Sequence, residues 1–341
     1  MPDIQLRFHH DMLVLSAPVD AMLAKQGIDA ARDRQYLNLM EPDSIRDALR
    51  LEVMAGAQCV VATTEDITQA RLAHLRMDAD PARLAHAAVA LANEVKPQHL
   101  LVEIGPSGLP LDASSKASLN ENRAQYANAA RAFEGELFDA FFLNGFTSVP
   151  SLKCALMGVA QVSDKPVFAS VSIGEVPRQT LEPKPAAPRE SAEEVMAGLP
   201  FAGYSAIDDV GLPVPAPTTR NLDAADWPDV VDAMVDLGAS VIGFETAEPL
   251  AKALEYAHIA VERTDRPVLT QLRVSPSSGK SAAKNLTPLA DIDDYTPDTM
   301  ANAAVKLYGA GVQFLRATGE ATPAYTGALA ATVMGVDVRA R

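Results

Sequence analysis

The sequence predicts an α/β chain folded as a (β/α)8 TIM barrel, on three observations. The first is a repeated grammar: Asp236 to Thr246 (DLGASVIGFET) runs from a helix end through a glycine into an apolar stretch that halts at Glu245. The same order recurs at Val53 to Thr64 (VMAGAQCVVATT) and Tyr308 to Thr318 (YGAGVQFLRAT). In each, glycine supplies the left-handed conformation that stops a helix. The second observation is that these runs are apolar on both faces, as strands of a parallel sheet covered by helices are. The third is their number: eight such runs alternate with helical stretches, and eight parallel strands close a sheet into a barrel. The competing open, doubly wound sheet needs a dinucleotide-type glycine-rich turn after strand one, which the sequence lacks.

In order, Met12–Ser16 reads as strand one, followed by an irregular stretch to Met40. Pro42, Asp43 and Ser44 open a helix whose Ile45, Leu49 and Val53 share a face and which stops at Gly56. Cys59–Thr63 is strand two, and an Ala-rich helical pattern covers Pro81–Val95. His99–Ile104 is strand three, Asn120–Phe133 a helix, and Ala140–Leu143 strand four, ending at Asn144 and Gly145. Val149–Val159 is helical and Val167–Ile173 is strand five. The stretch 174–219 then carries eight prolines, too many for a helix or a central strand. Because strand and helix units resume after it, it reads as a Pro-rich lid or excursion within a single domain spanning 1–341. Asp226–Leu237 is a helix, Val241–Phe244 strand six, Pro249–Arg263 a helix and Val268–Leu272 strand seven. After a polar loop, Ser275–Asp294, Thr296 caps a helix with Pro297 in its first turn. Val312–Leu315 is strand eight and Thr322–Val333 the last helix.

Composition narrows the function classes. A net charge of −15 and a pI near 4.8, with no Lys/Arg-rich run, argue against a nucleic-acid backbone binder. No apolar segment reaches the ~18 residues of a membrane span, and the N-terminus lacks a basic region followed by an apolar core, so a cytoplasmic protein is expected. Cys59 and Cys154 fall in a predicted strand and a predicted helix. A disulfide and a pair of reduced, buried thiols are both open, and the apolar settings favour the thiols. The six histidines show no metal spacing, and His9 and His10, preceding strand one, belong at the barrel floor. Ser277 to Ser281 (SSGKS) lacks the first glycine of a phosphate loop, since Val274 stands there, so it is not read as a nucleotide site.

From about Leu13 to Val333 the chain resembles the homocysteine S-methyltransferase family, including the homocysteine-binding barrel of cobalamin-dependent methionine synthase. The matching pieces are Leu37-Asn38-Leu39 with Pro42-Asp43, the Ala55-Gly56-Ala57 turn into strand two, and Gly105-Pro106-Ser107-Gly108 after strand three. Leu152-Lys153, the Gly309-Ala310-Gly311 entry into strand eight and Pro323 complete the order. The resemblance implies zinc held by one cysteine after strand six and a pair at the end of strand eight. Thr246 and Ala317-Thr318 stand there instead, and two cysteines cannot supply three thiolates. The Asp-Gly after strand one is Ser16-Ala17, the Thr-Asn-Thr after strand two is Thr63-Thr64-Glu65, and the Glu-Thr after strand four is Asn144-Gly145. No cofactor is therefore expected. A corrinoid protein or a methylated small molecule enters as methyl source by resemblance alone.

A barrel keeps its chemistry at the carboxyl ends of its strands. That rule places Glu65, Asp66, Glu103, Asn144, Ser172, Glu245, Thr246, Arg273, Arg316 and Thr318 at the mouth. Arg273 and Arg316 offer two guanidinium groups to a small anionic substrate. Glu245 or Glu103 then acts as general base or balances those cations. An equal reading is a structural ion network in place of the lost metal. Two functions follow: a divergent, zinc-independent methyltransferase, or a non-catalytic ligand-binding or partner subunit of a corrinoid-type methyltransfer complex. A lyase is disfavoured, since no lysine falls at a strand end to form a Schiff base.

Overall fold

A computed structural model of the chain describes residues 3–28, 30–74, 80–174, 221–275 and 295–333. The Pro-rich segment read as 174–219 lies, beyond Gly174, outside them, as does the loop after Ser275 that carries Lys280.

The eight expected strands form one parallel sheet. They are β1 (Leu13–Val14), β2 (Cys59–Ala62), β3 (His99–Ile104), β4 (Ala140–Phe146), β5 (Val167–Ser172), β6 (Val241–Thr246), β7 (Val268–Val274) and β8 (Phe314–Gly319). Each pairs with the next in sequence from β2 to β8, and β8 pairs with β1. A parallel bridge between Leu15 and Cys59 closes the ring. Two backbone bonds flank it, Gln58 N to Val14 O at 3.0 Å and Ser16 N to Cys59 O at 2.8 Å.

The helices among the described residues are α1 (Asp20–Lys25), α2 (Ala30–Met40), α3 (Pro42–Ala55), α4 (Gln69–His74), α5 (Pro81–Glu94), α6 (Lys116–Arg131) and α7 (Val149–Val159). Four more follow, α8 (Trp227–Asp236), α9 (Leu250–Arg263), α10 (Pro297–Gly309) and α11 (Pro323–Val333). None is long and apolar enough to cross a membrane. The glycines of the three repeated units, Gly56, Gly238 and Gly311, all adopt positive φ, at 109°, 81° and 98°. Thr296 caps α10 as expected, exchanging bonds with Thr299 in a capping box.

Strand alternation sorts the side chains into two cores. Those facing outward join the helices in a large apolar layer, where Trp227 donates its indole N–H to the Tyr256 carbonyl at 2.9 Å. Those facing inward at the amino ends, among them Leu13, Cys59, Leu101, Phe142, Phe168, Leu269 and Phe314, fill the lower barrel. Phe8 closes this floor edge-on to Phe168 and Phe314. His9 is tied there too, its backbone N–H donating to Gln313 Oε1, as its place before strand one implies.

The structure adds the short helix α4, starts α6 four residues earlier than read, and departs from the sequence reading in two larger ways. The stretch before Met40 is not irregular but holds α1 and α2, whose buried side carries Gln35 and Asn38 beside Leu37 in place of a clean apolar stripe. Strands four, six, seven and eight also run past the residues read as their ends. In β4 the register shifts between Leu143 and Phe146, so Asn144 and Gly145 lie within the strand as a bulge.

Candidate functional site

Above the apolar floor the inward positions turn polar, and strand register stacks them. Arg316 pairs with Gln271, Gln271 with Glu245, and Glu245 with Ser172, while Thr318 pairs with Arg273. Hydrogen bonds divide these side chains into two sets.

The inner set surrounds Arg316, which is 2% exposed. Its Nε donates to the Ser16 carbonyl at 2.9 Å, Nη1 to Gln271 Oε1 at 3.3 Å and Nη2 to Glu103 Oε2 at 3.4 Å. Its guanidinium carbon lies 5.3 Å from the Phe142 ring centroid. Asn144 Nδ2 donates to Glu103 Oε1 at 2.6 Å, and Gln271 Nε2 donates to Asn144 Oδ1 and Ser170 Oγ at 2.7 and 2.8 Å. The outer set surrounds Glu245. Thr318 Oγ1 and Arg273 Nη1 donate to its Oε1 at 2.6 and 3.2 Å, and Ser172 Oγ donates to Oε2 at 3.3 Å.

Three residues named from sequence stand apart from both sets. Glu65 and Asp66, in the loop after β2, form a rim cluster: Arg34 of α2 binds Glu65 and Asp20, and Arg71 of α4 binds Asp66. Thr246 is buried at an outward position, where its hydroxyl accepts from Glu248 N at 3.2 Å and steadies the turn after β6. Sequence reading missed Gln271, Ser170 and Arg34. A period-two signal marks the first two: Gln271 lies two residues before Arg273, and Ser170 two before Ser172.

Burial raises the Glu103 carboxyl above the usual range; Arg316, Asn144 and Arg34 oppose the rise and Glu65 adds to it. Asp66 is raised by burial and by Glu65, against Arg71 and Arg34. Arg34 keeps its charge more firmly than usual, since Glu65, Asp20, Asp66 and Glu103 together outweigh its burial.

A further carboxyl, Glu52 of α3, braces strand one from outside. Its Oε2 accepts from Ala17 N at 2.9 Å and from Thr326 of α11 at 2.5 Å. Burial pushes it up despite those two donors. Because the unfolded chain loses this proton first, Glu52 should erode stability as pH rises from about 4.3 through its higher folded value. Urea midpoints measured across that range should decline less steeply in Glu52→Gln.

The zinc implied by the resemblance fails a test of donors. At the ends of β6 and β8 stand Thr246, occupied in its turn, and Thr318, bonded to Glu245 beside a guanidinium. Both cysteines are free and buried elsewhere. Cys59 belongs to the barrel floor, and the Cys154 thiol of α7 faces the Leu119 carbonyl at 3.7 Å. Burial raises both thiols, away from the thiolate form zinc requires. Among the described residues no group of three or more His, Cys, Asp or Glu is placed to hold a metal ion. The donors at these strand ends do not fit zinc.

Solved structures share this architecture at low sequence identity. The metallated form of the homocysteine methyltransferase MmuM from Escherichia coli superposes with a TM-score of 0.64 at 14% identity, covering 94% of this chain and 96% of that one. Its oxidized form gives 0.63 at 17% identity with the same coverage, and its apo form 0.60 at 13%. At such identities the superposition shows a common fold and nothing more. No curated protein sequence matches the chain. The family model described as homocysteine S-methyltransferase matches residues 13–333, nearly the whole length. The chain therefore belongs to the homocysteine S-methyltransferase family.

Proposed function

We propose that this protein is a divergent methyltransferase of its family that acts on a small anionic substrate without zinc. One observation carries the reading: at the end of β8, where the resemblance implies a thiolate pair, Thr318 is bonded to Glu245, which also holds Arg273, and the Arg273 side chain is 40% exposed. A guanidinium that among the described residues is anchored through one nitrogen and is partly exposed suits a carboxylate or phosphate, whose paired oxygens match its fork. The carboxylate behind it holds its direction.

Metal analysis of the purified full chain should find no stoichiometric zinc, and stoichiometric zinc would overturn the reading. Calorimetric titration with small carboxylates and inorganic phosphate should detect binding. Arg273→Gln should weaken it by about 10- to 100-fold, the worth of a charge-assisted bond.

A second reading has its own support. In the inner set, Glu103, Asn144, Gln271 and Arg316 bond one another, as in a structural core. It makes the barrel a non-catalytic partner of a corrinoid protein in a methyltransfer complex. Anion binding without methyl transfer from any small donor, together with co-purification of a corrinoid protein, would favour it.

A further inference from the structure

The barrel holds two inward carboxylates, and their surroundings differ in a way that assigns them different work. Glu245 has both oxygens engaged by three donors, one a guanidinium. It anchors Arg273. Glu103 has one short bond, from the neutral Asn144 amide at 2.6 Å, and its guanidinium partner is 3.4 Å away. Charge-assisted pairs close to about 2.7–2.9 Å when the two groups hold each other tightly. Arg316 instead makes its shortest bond, 2.9 Å, to the Ser16 carbonyl. The guanidinium pair of Glu103 is thus the looser of the two, 3.4 Å against 3.2 Å for Arg273 and Glu245; Glu103 has two donors where Glu245 has three, and about a tenth of each side chain remains exposed.

Among the described residues, the charged groups acting on Glu103 include Arg316 from β8, Arg34 from α2 and Glu65 from the loop after β2. Two cations favour its ionised form, while burial and Glu65 favour the neutral acid, and the net displacement is upward. A buried carboxyl with few donors is the one set to exchange protons.

We propose that Glu103 is the proton acceptor of this site, while Glu245 is a fixed anchor for Arg273. This rests on the methyl-transfer reading given above. In the step itself, the acceptor's N–H, O–H or S–H gives its proton to a Glu103 oxygen as the heteroatom attacks the carbon of an electrophilic methyl donor. The heteroatom–carbon bond forms, the bond from that carbon to the donor's leaving atom breaks, and the electron pair departs with the leaving group. Glu103 ends as the neutral acid and returns its proton to water at the mouth. Where a metal would lower the acceptor's own affinity for a proton, a carboxylate receives that proton instead.

The test needs no substrate. In full-length chain labelled with 13C at the glutamate carboxyl carbons, an NMR pH titration should show, beside the raised resonance of Glu52 that Glu52→Gln removes, one further resonance with its midpoint above those of the exposed glutamates. That resonance should be missing from Glu103→Gln and retained in Glu245→Gln. Asn144→Ala removes the donor that favours the ionised form, so the same resonance should move to a still higher midpoint. Its loss from Glu245→Gln but not Glu103→Gln, or its failure to move in Asn144→Ala, would overturn the assignment. A methyl-transfer screen separates the two claims: a wild-type chain that titrates as described yet transfers no methyl group sinks the functional reading and leaves the proton on Glu103. If transfer is found, Glu103→Gln should slow it by about 100-fold or more and remove the acidic limb of its pH profile.

Discussion

Arg316→Met should lower folding stability by about 3–5 kcal/mol, seen as a drop in the urea midpoint at constant m value. The side chain is nearly inaccessible and serves three acceptors at once: the Ser16 carbonyl, Gln271 and Glu103. Methionine fills comparable space but donates to none of them. The loss should shrink toward acidic pH, because Glu103 then takes a proton and is no longer an unpaired buried charge. Adding Glu103→Met should recover much of the stability, since a buried pair replaced by apolar groups of similar volume is often close to neutral. A double-mutant cycle that shows no coupling between the two positions would contradict this account.

Gly319→Ala is the second large effect, at about 2–4 kcal/mol from left-handed strain and overpacking together. Gly319 closes β8 at φ 66°, and a Cβ there would lie 2.4 Å from the Val274 carbonyl oxygen and 3.0 Å from Arg273 Cγ. Neither neighbour can yield freely. Val274 is paired to Gly319 in register and also accepts from Glu320 N, and Arg273 is committed to Glu245. The alanine should therefore weaken small-anion binding along with the fold. Gly135→Ala supplies the control: Gly135 has φ 84° but no atom within 4 Å of its would-be Cβ, so only the backbone strain of about 1 kcal/mol should appear.

Much of the scaffold was legible because the outward-facing layer obeys simple rules. Apolar runs such as Val241–Phe244 and glycine stops such as Gly238 report strands and helix ends directly. Strand ends were harder to read for a physical reason. Polarity was taken as the end of a strand, yet in β6, β7 and β8 the ladder continues through Glu245, Arg273 and Thr318, whose polar groups satisfy one another inside the ring. Gln271 was missed for another reason: it lies inside strand seven as read, Val268–Leu272, while candidates were sought at strand ends, and it links Arg316 to Asn144 and Ser170. Helix α2 escaped notice because its buried side is partly polar. Asn38 donates to the Thr63 carbonyl at 2.9 Å, a contact between elements that no periodicity along the chain announces. Thr246 shows the converse, a polar residue at a strand end whose orientation takes it out of the barrel.

The join between the first and second strands has one further consequence. It rests on a single bridge, laced by Gln58 Oε1 accepting from Val14 N and by Ser16 Oγ accepting from Val61 N. Ser16 also lends its carbonyl to the guanidinium at the heart of the ring. The stave joined by a single bridge thus also steadies the central cation, so opening of the hoop at that joint should take from the enclosed charge one of its three acceptors.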